Sequence, residues 1–505
     1  MTDPVKPFDI PGHWHWSTLQ KIGEWSGGGT PSKSNESYWN GTIPWVSPKD
    51  MKRLEIRDSQ DHVTEKAVEE SSTKLIPSGS VLFVTRSGIL ERTLPTAITI
   101  VDATINQDLK ALSVSGEIDP KFVLYYSRAA ERSILRHCAK DGTTVASLES
   151  SRLYDFPVPV PPLEEQHRIV SKIEELFSNL EAGLEGLETA KRQLERYQSS
   201  VLQAGVEGRL TANWRRSNSP ESADQLLERI LEERQERWEE DYREKYQRKG
   251  KEPPEGWRSR YSCPDGPEDS NLPDIPTGWE WAKVEQISIV YSGVTKNASK
   301  SGDLVSMPYL RVANVYANEL RLDDVGEIEV RQSRLYKYLL QEGDLLVVEG
   351  NGSKSQIGRV ARWDGSIDPC VHQNHLIKVR PVIEACGRYL LLWMLSPAGR
   401  EHIMRVASST SGLYTLSLTK VRNIPVALPP LSEQRKIVDE VSRLLSIRDD
   451  VVNTLKGEAR RGKRLRRSVL RKAFSGRLVS SSGETVADGA SGMNGKPTTP
   501  MRQNV

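Results

Sequence analysis

PPLEEQHRIVSKIEELFSNL, residues 161–180, and PPLSEQRKIVDEVSRLLSIR, residues 429–448, are two versions of one segment. Further along, Val201-Leu202 and Gly208-Arg209-Leu210 return in the same register as Val469-Leu470 and Gly476-Arg477-Leu478. The two stretches align without a gap over roughly 50 residues, which marks an internal duplication. Each opens on a proline pair, tolerated at a helix start but not inside one. Apolar residues then fall at Ile169, Ile173, Leu176, Leu180, Leu184, Leu187, Leu194, Tyr197 and Val201. The second copy places them at Ile437, Val441, Leu444, Val451, Leu455, Leu465 and Val469. Steps of three and four make one stripe, so each segment is predicted as a long coiled-coil-like helix with the other as its partner. Gly183, Gly186, Gly457 and Gly462 would each weaken an isolated helix by about 1 kcal/mol, so packing must hold the pair.

Working outward, the duplication extends upstream. Trp14-His15-Trp16 is echoed by Trp279-Glu280-Trp281, Ile43-Pro44-Trp45 by Met307-Pro308-Tyr309, and SGSVLFV (78–84) by EGDLLVV (342–348). The chain is therefore a tandem of two units, each a mixed region of about 150 residues followed by a long helix. Residues 80–85, 97–101 and 109–114 read as strands and 121–139 as helix; 344–349 and 376–380 read as strands and 388–406 as helix. That order fits an α+β fold better than regular βαβ alternation. Residues 223–251 lie outside the repeat as a densely charged helix candidate leading into a Pro/Gly-rich linker, and residues 480–505 read as disordered.

A chain of 505 residues exceeds one compact domain. Lys plus Arg total 70 against 68 Asp plus Glu, a net charge of +2, so a uniformly basic nucleic-acid binder is excluded and any such surface must be local. The four cysteines (Cys138, Cys263, Cys370, Cys386) form no CxxC pair, which argues against a disulfide framework or zinc ribbon. With no bilayer-length apolar run and no signal pattern, a soluble cytoplasmic protein is expected.

The candidate chemistry lies in polar, glycine-rich loops. Ser26-Gly27-Gly28-Gly29-Thr30-Pro31-Ser32-Lys33 is followed by Ser47-Pro48-Lys49, and the second unit offers Thr295, Lys296, Arg311, Asn314, Asn351, Ser353 and Lys354. Glycines let backbone N–H groups approach phosphates, and lysines can hold the DNA backbone. Arg86 and Ser87 occupy a further loop that differs strongly from 351–355. Asn106-Gln107-Asp108 and His372-Gln373-Asn374-His375 sit at similar points of the two units. Asn and Gln can bond adenine bidentately, or can simply form turns. Cys370, His372 and His375 lack a visible fourth ligand for a metal.

Catalytic patterns are missing. Pro161-Pro162 and Pro429-Pro430 carry no preceding Asp or Asn and no following aromatic, as an amino-methyltransferase loop would need. Glu280 and Lys283 would point to opposite faces of a strand and could not share a nuclease metal. Neither HExxH nor GxSxG occurs, and no GxxxxGK[ST] closes a P-loop. Eight positive charges in residues 460–472 read as a solvated helix face or as a surface for phosphates or an acidic partner.

GGTPSKSNESYWNGTIPWVSPKDM (28–51) resembles the opening of a target-recognition domain in type I restriction–modification specificity subunits. PVPVPPLEEQHRIV and PVALPPLSEQRKIV resemble the junction of such a domain with its spacer helix. The resemblance covers roughly residues 10–212 and 275–480. It implies two target-recognition domains, 1–160 and 277–428, separated by two long antiparallel helices, 161–211 and 429–479, with 212–276 as an insertion. It further implies that each domain reads one half of a bipartite double-stranded DNA target, with no catalytic residue, cofactor or metal on this chain. Two methyltransferase subunits would bring S-adenosylmethionine, and motor-nuclease restriction subunits would bring ATP and magnesium. A coiled-coil protein scaffold and a fused methyltransferase or nuclease are the alternatives. The first has no use for two diverged, loop-rich domains, and the second lacks its motifs.

Overall fold

The computed structural model describes residues 6–140, 145–268, 272–295, 303–410 and 412–479, with backbone only for 408–410. Lys296 and the tail 480–505 lie outside the described residues. The chain divides into two compact units: residues 1–188 with 456–505, and residues 189–455. The two long helices run Leu163–Val206 (the central helix) and Leu431–Phe474 (the distal helix), 44 residues each.

In the first unit a five-stranded sheet has the order Gly23–Gly27, Leu109–Val114, Val81–Val84, Thr96–Thr99, Glu55–Ile56. A four-stranded sheet joins Asp61–Val63, Trp39–Val46, Ala103–Ile105 and Leu75–Ile76. The fully buried run Val81–Val84 (Val-Leu-Phe-Val) is the apolar centre, as its unbroken apolar sequence demands. The predicted helix 121–139 is two helices, Pro120–Ala129 and Glu131–Cys138, broken at Ala130, which leaves helical geometry (ψ 1°). The strand Pro157–Val160 pairs with His15–Thr18 and feeds the central helix. Near its start Ile169, Val170, Ile173 and Phe177 enter the core. The end of the distal helix enters the same core: Phe474 meets Phe122 at 5.1 Å and Tyr126 at 5.4 Å. The helix segments are antiparallel here, because Arg466 covers Phe177 (4.6 Å) while Gly462 faces Leu180 and Leu184. A Cβ on Gly462 would sit 3.2 Å from both leucines, so this glycine permits the close approach.

The second unit repeats the plan. Its sheet order is Ser288–Ser292, Leu376–Pro381, Leu345–Val348, Val360–Arg362, and Leu304–Leu310 pairs with Gly326–Arg331 and, in parallel, with Val371–His372. The predicted helix 388–406 is again two, Gly387–Leu395 and Pro397–Val406. Pro397 lacks an N–H to continue the first helix, and Ser396 caps the second by accepting from the Gly399 N–H. Pro425–Leu428 pairs with Glu280–Lys283 and feeds the distal helix. The end of the central helix (Val201, Leu202, Val206) packs with Ile437 and Val441, and Gly205 leaves no room for a Cβ, which would stand 2.9 Å from Val441.

The junction motif now has a physical reading. Gln166 and Gln434 are buried and donate to the Pro161 and Pro429 carbonyls at 2.9 and 2.8 Å, closing the chain over the helix start. Glu433 is fully buried and accepts from Arg215, Thr211 and the Trp279 indole. Its counterpart Glu165 meets His13 at 3.0 Å instead, and the Trp14 indole N–H is left without a partner. The stripe is less covered than its periodicity predicts: Tyr197, Val451 and Leu465 are exposed, as is Ile447.

The charged segment 223–251 forms a helix, Ala223–Gln247. Its first turns are not a solvated rod: Ala223, Leu226 and Ile230 are buried in the second unit's core.

Candidate nucleic-acid interface

Backbone contacts tie several loops together in each unit. In the first, the Gly29 N–H donates to the Ile105 carbonyl (2.9 Å) and a Cβ on Gly28 would collide with the Asn106 carbonyl at 1.9 Å. Only glycine allows that approach. Thr30 Oγ1 donates to Gln107, joining the glycine loop to the Asn-Gln-Asp turn. Thr85 and Arg86 N–H groups reach the Asp108 carbonyl (2.8 and 3.2 Å), and Ser87 N–H reaches Ala146 (2.9 Å).

The second unit builds the same frame. A Cβ on Gly293 would lie 2.3 Å from the His372 and Gln373 carbonyls, and Val294 N–H donates to His372 (2.8 Å). Glu349 N–H donates to His375 (3.0 Å), and Asn351 pairs with Tyr414. Strand register fixes the correspondence: Val46 faces Ile105 as Leu310 faces His372. The corresponding turns are therefore Asn106-Gln107-Asp108 and Gln373-Asn374-His375.

That register sorts the candidates. Gln107, Lys33, Lys49 and Arg86 are exposed and the last three meet no carboxylate among the described residues; Gly28, Gly29 and Thr30 hold the loop. Thr295 and Lys354 are exposed, and Gln373 and Asn374 half-exposed. Other candidates are framework. Asn106 is buried and accepts from its own turn, at the Asp108 N–H (3.1 Å). Ser47 N–H and Oγ both donate to Asp50 (2.8 and 2.9 Å), and the same turn recurs where Arg311 N–H donates to buried Asn314 (2.8 Å). Arg311 also pairs with Asp324 (2.8 Å). Ser353 N–H donates to Asn351 (2.9 Å), shaping that loop.

His372 is a correction to the sequence reading. It stands at the core position held by Ile105 and is wholly buried, with Nδ1 3.2 Å from the Tyr338 carbonyl and Nε2 without a partner. Burial, with Lys378 nearby, pushes its pKa down to about 3. It reads no base. His375 pairs with Glu349 (3.0 Å) and Cys370 is buried, with burial raising its thiol to about 11. Among the described residues no three His, Cys, Asp or Glu side chains gather as a metal site, and no helix is long and apolar enough to cross a membrane.

Sequence reasoning missed Asp50, whose carboxylate shapes its turn, and Arg400, which pins the 351–356 loop through the Ser355 and Gly358 carbonyls. The Ser-x-x-Asp spacing at 47–50 was a usable signal for the first. It also missed Val145 and Leu413, exposed apolar residues one step beyond the paired Ala146 and Tyr414.

Comparison with known proteins agrees with this frame. The model of the type I restriction modification DNA specificity domain matches residues 11–188 and 276–460. The specificity subunit of the Escherichia coli EcoR124I/EcoR124II type I restriction enzyme is 44% identical over 196 residues, 38% of this chain and 48% of that relative. The EcoKI specificity subunit of E. coli K12 is 25% identical over 343 residues, 67% of this chain and 61% of the relative. The chain thus spans about half the length of the first of these curated relatives and 61% of the second. Among solved structures, a chain from a study of type I R-M complex assembly aligns with TM-score 0.58 at 18% identity, covering 94% of this chain and all of that one. The HsdS subunit from Thermoanaerobacter tengcongensis aligns with TM-score 0.52 at 18% identity, covering 94% and 99%. At that identity the likeness establishes the fold.

Proposed function

The chain belongs to the type I restriction modification DNA specificity family, and from that premise we propose that it is the specificity subunit of a type I restriction–modification complex. Residues 1–160 and 277–428 act as recognition domains, each reading one half of a bipartite duplex target. The observation that carries this reading is the twice-built loop edge. Gly28 and Gly293 press against the turns at 106–108 and 373–375, while the side chains those turns display differ. A constant frame with variable display suits two readers of different half-sites. Gln107 and Asn374 are the base-reading residues, and Lys33, Lys49, Arg86 and Lys354 hold phosphates.

The helices 161–211 and 429–479 set the gap between half-sites and dock two adenine-N6 methyltransferase subunits. Exposed Tyr197, Ile447, Val451 and Leu465 are the apolar side chains of these helices that such docking would cover. The chain itself performs no chemistry: S-adenosylmethionine belongs to the methyltransferase subunits, and ATP and magnesium to the motor-nuclease subunits. The complex works in the cytoplasm, where its DNA lies.

The test is a domain exchange. The chain with residues 12–156 replaced by those of a relative is assembled with the methyltransferase subunit, and methylated sites are mapped. One half-site should change while the other stays. A change in both, or methyl transfer by the chain alone at the rate of the complex, contradicts the reading.

A further inference from the structure

The charged helix ends in a feature that the recognition frame does not use. Past Gln247 the chain turns at Gly250 (φ 64°) and Gly256 (φ 70°), and the short 3-10 turn Trp257–Arg260 folds back on the helix. Trp257 stacks on Tyr242 at 5.1 Å and 8°, and on Trp238 at 5.8 Å; Tyr246 and Tyr261 extend the cluster. The result is a rigid hook whose aromatic rings are spent on one another.

Its rim is cationic. Over residues 242–260 there are seven Lys or Arg against three Glu, whereas residues 223–241 hold three Arg against eight Asp or Glu. Arg243 and Arg258 share Glu239, and Arg248 pairs with Glu244. Lys245, Lys249, Lys251 and Arg260 are exposed and meet no carboxylate among the described residues. Lys245 and Lys249 rest over Tyr242 and Tyr246, which fixes their direction without neutralising them.

The hook is also tied to the reading loop. Arg248 lies 3.9 Å over Tyr336, in the short helix Leu335–Tyr338, where Lys337 is exposed as well. Two residues on, the Tyr338 carbonyl meets His372, whose own carbonyl holds Val294 beside Gly293.

We propose that this hook is a second phosphate contact, gripping the backbone of the duplex that flanks the half-site read by the second unit; it rests on the reading above that the chain binds DNA. Duplex DNA is favoured over a protein partner because three of the four cations without a carboxylate partner are lysines, the fourth, Arg260, donating to the Tyr242 hydroxyl (3.1 Å). Protein interfaces deplete lysine at their cores and use exposed aromatic surface, which here is already stacked away. Phosphate contacts need only positioned cations.

The full-length chain is titrated with a random-sequence duplex of about 40 base pairs over a range of salt concentrations, giving the slope of log K against log salt. The variant Lys245→Ala, Lys249→Ala, Lys251→Ala, Arg260→Ala should lower the slope by about 3.6, near 0.9 for each lost contact. Replacing the three lysines by arginine should keep it. A control losing Arg209, Arg216, Arg435 and Lys436, exposed elsewhere in the second unit, should keep it too. If the wild-type chain binds and the alanine variant shows the same slope, or the control falls as far, the hook is not a phosphate site. An unchanged slope with lost binding of the methyltransferase subunit makes it a protein surface and overturns the inference. Absence of duplex binding by the wild type would overturn the DNA-binding reading itself, and the hook with it.

Discussion

The two units hold the same backbone at the same register and fill it differently. Leu82 faces Ala111 in the first sheet as Leu346 faces Lys378 in the second, so Ser80 and Ser113 correspond to Asp344 and Arg380. The first pair shares a hydroxyl hydrogen bond of 2.8 Å; the second is an ion pair at 2.6 Å with the carboxylate wholly buried. Ser26 likewise becomes Tyr291, and Ile105 becomes His372. The polar set in the second unit coincides with the charged helix, whose Arg234 donates to the Ser288 carbonyl (2.9 Å) and whose Asp241 acts electrostatically on Tyr291 and Arg380. Duplicated sheets thus keep their ladder bonds, which need no particular side chain, while the interior diverges wherever a new element packs against it.

The junctions offer the sharpest way to break that comparison. Arg215→Ala leaves Glu433 buried with its charge uncompensated, and should cost about 3–5 kcal/mol in the second unit. His13→Ala, at the half-exposed partner of Glu165, should cost about 1 kcal/mol or less in the first. Hydrogen exchange resolves the two units separately, which a single melting curve would not. Similar losses of protection in both would mean that the junctions are energetically equivalent despite their different partners.

Acid should separate the units next. His372 stays neutral in the folded state down to about pH 3, while the unfolded chain takes up that proton below about 6.5. The unfolded state therefore binds more protons in that window, and the second unit loses stability as pH falls from 6.5 toward 3. Lys378, wholly buried and lowered to about 7 chiefly by burial, works in the same direction between pH 10 and 7. Ile105 and Ala111 hold these positions in the first unit and do not titrate. His372→Ile, which installs the first unit's residue and removes an unpaired buried nitrogen, should stabilise the second unit by about 1–3 kcal/mol and flatten its acid limb. Urea midpoints read by exchange at pH 5 and pH 7 check this; an unchanged midpoint would show that the imidazole is satisfied in solution.

Much of this was legible in the sequence because repetition is a stronger signal than propensity. The PPLxEQ junction located both long helices and, with its echoes, the tandem of mixed regions. The apolar stripe overstated burial, since a period of three and four shows where a helix can pack but not whether a neighbour is there, and Val451 and Leu465 remain exposed. The site was legible as a set of loops and blurred as residues. Asn106 and Gln373 look equivalent only once the strands are paired, because one residue of slip exchanges a core position for a displayed one. His372 was misplaced for that reason, and nothing in its local sequence could have shown that its ring points inward.

Base reading gives the next contrast. Gln107→Ala should cost about 1–3 kcal/mol on the cognate target and relax one position of the first half-site. Asn374→Ala should do the same in the second half-site only. Selection of methylated sites from a randomised library by the assembled complex reads both effects at once. If Gln107→Ala left specificity and affinity unchanged, the residue would serve only to brace Thr30.

The smallest effect separates holding from reading. Lys33 and Lys354 are exposed on the loop edges of the first and second units. Lys33→Ala should weaken binding by less than about 1 kcal/mol near physiological salt, about equally for all sequences, and lower the salt slope by about 1. Lys354→Ala should match it, since both lysines stand in a Ser-Lys-Ser tripeptide (32–34 and 353–355) whose serines bond each other, and phosphate spacing is the same at every half-site whereas base edges are not. Equal slope changes would therefore show that exposed cations in non-equivalent loops carry affinity, leaving specificity to the diverged turns. A loss confined to the cognate sequence in either variant would place that lysine against a base edge. The frame would then differ between the units in what it holds as well as in what it displays.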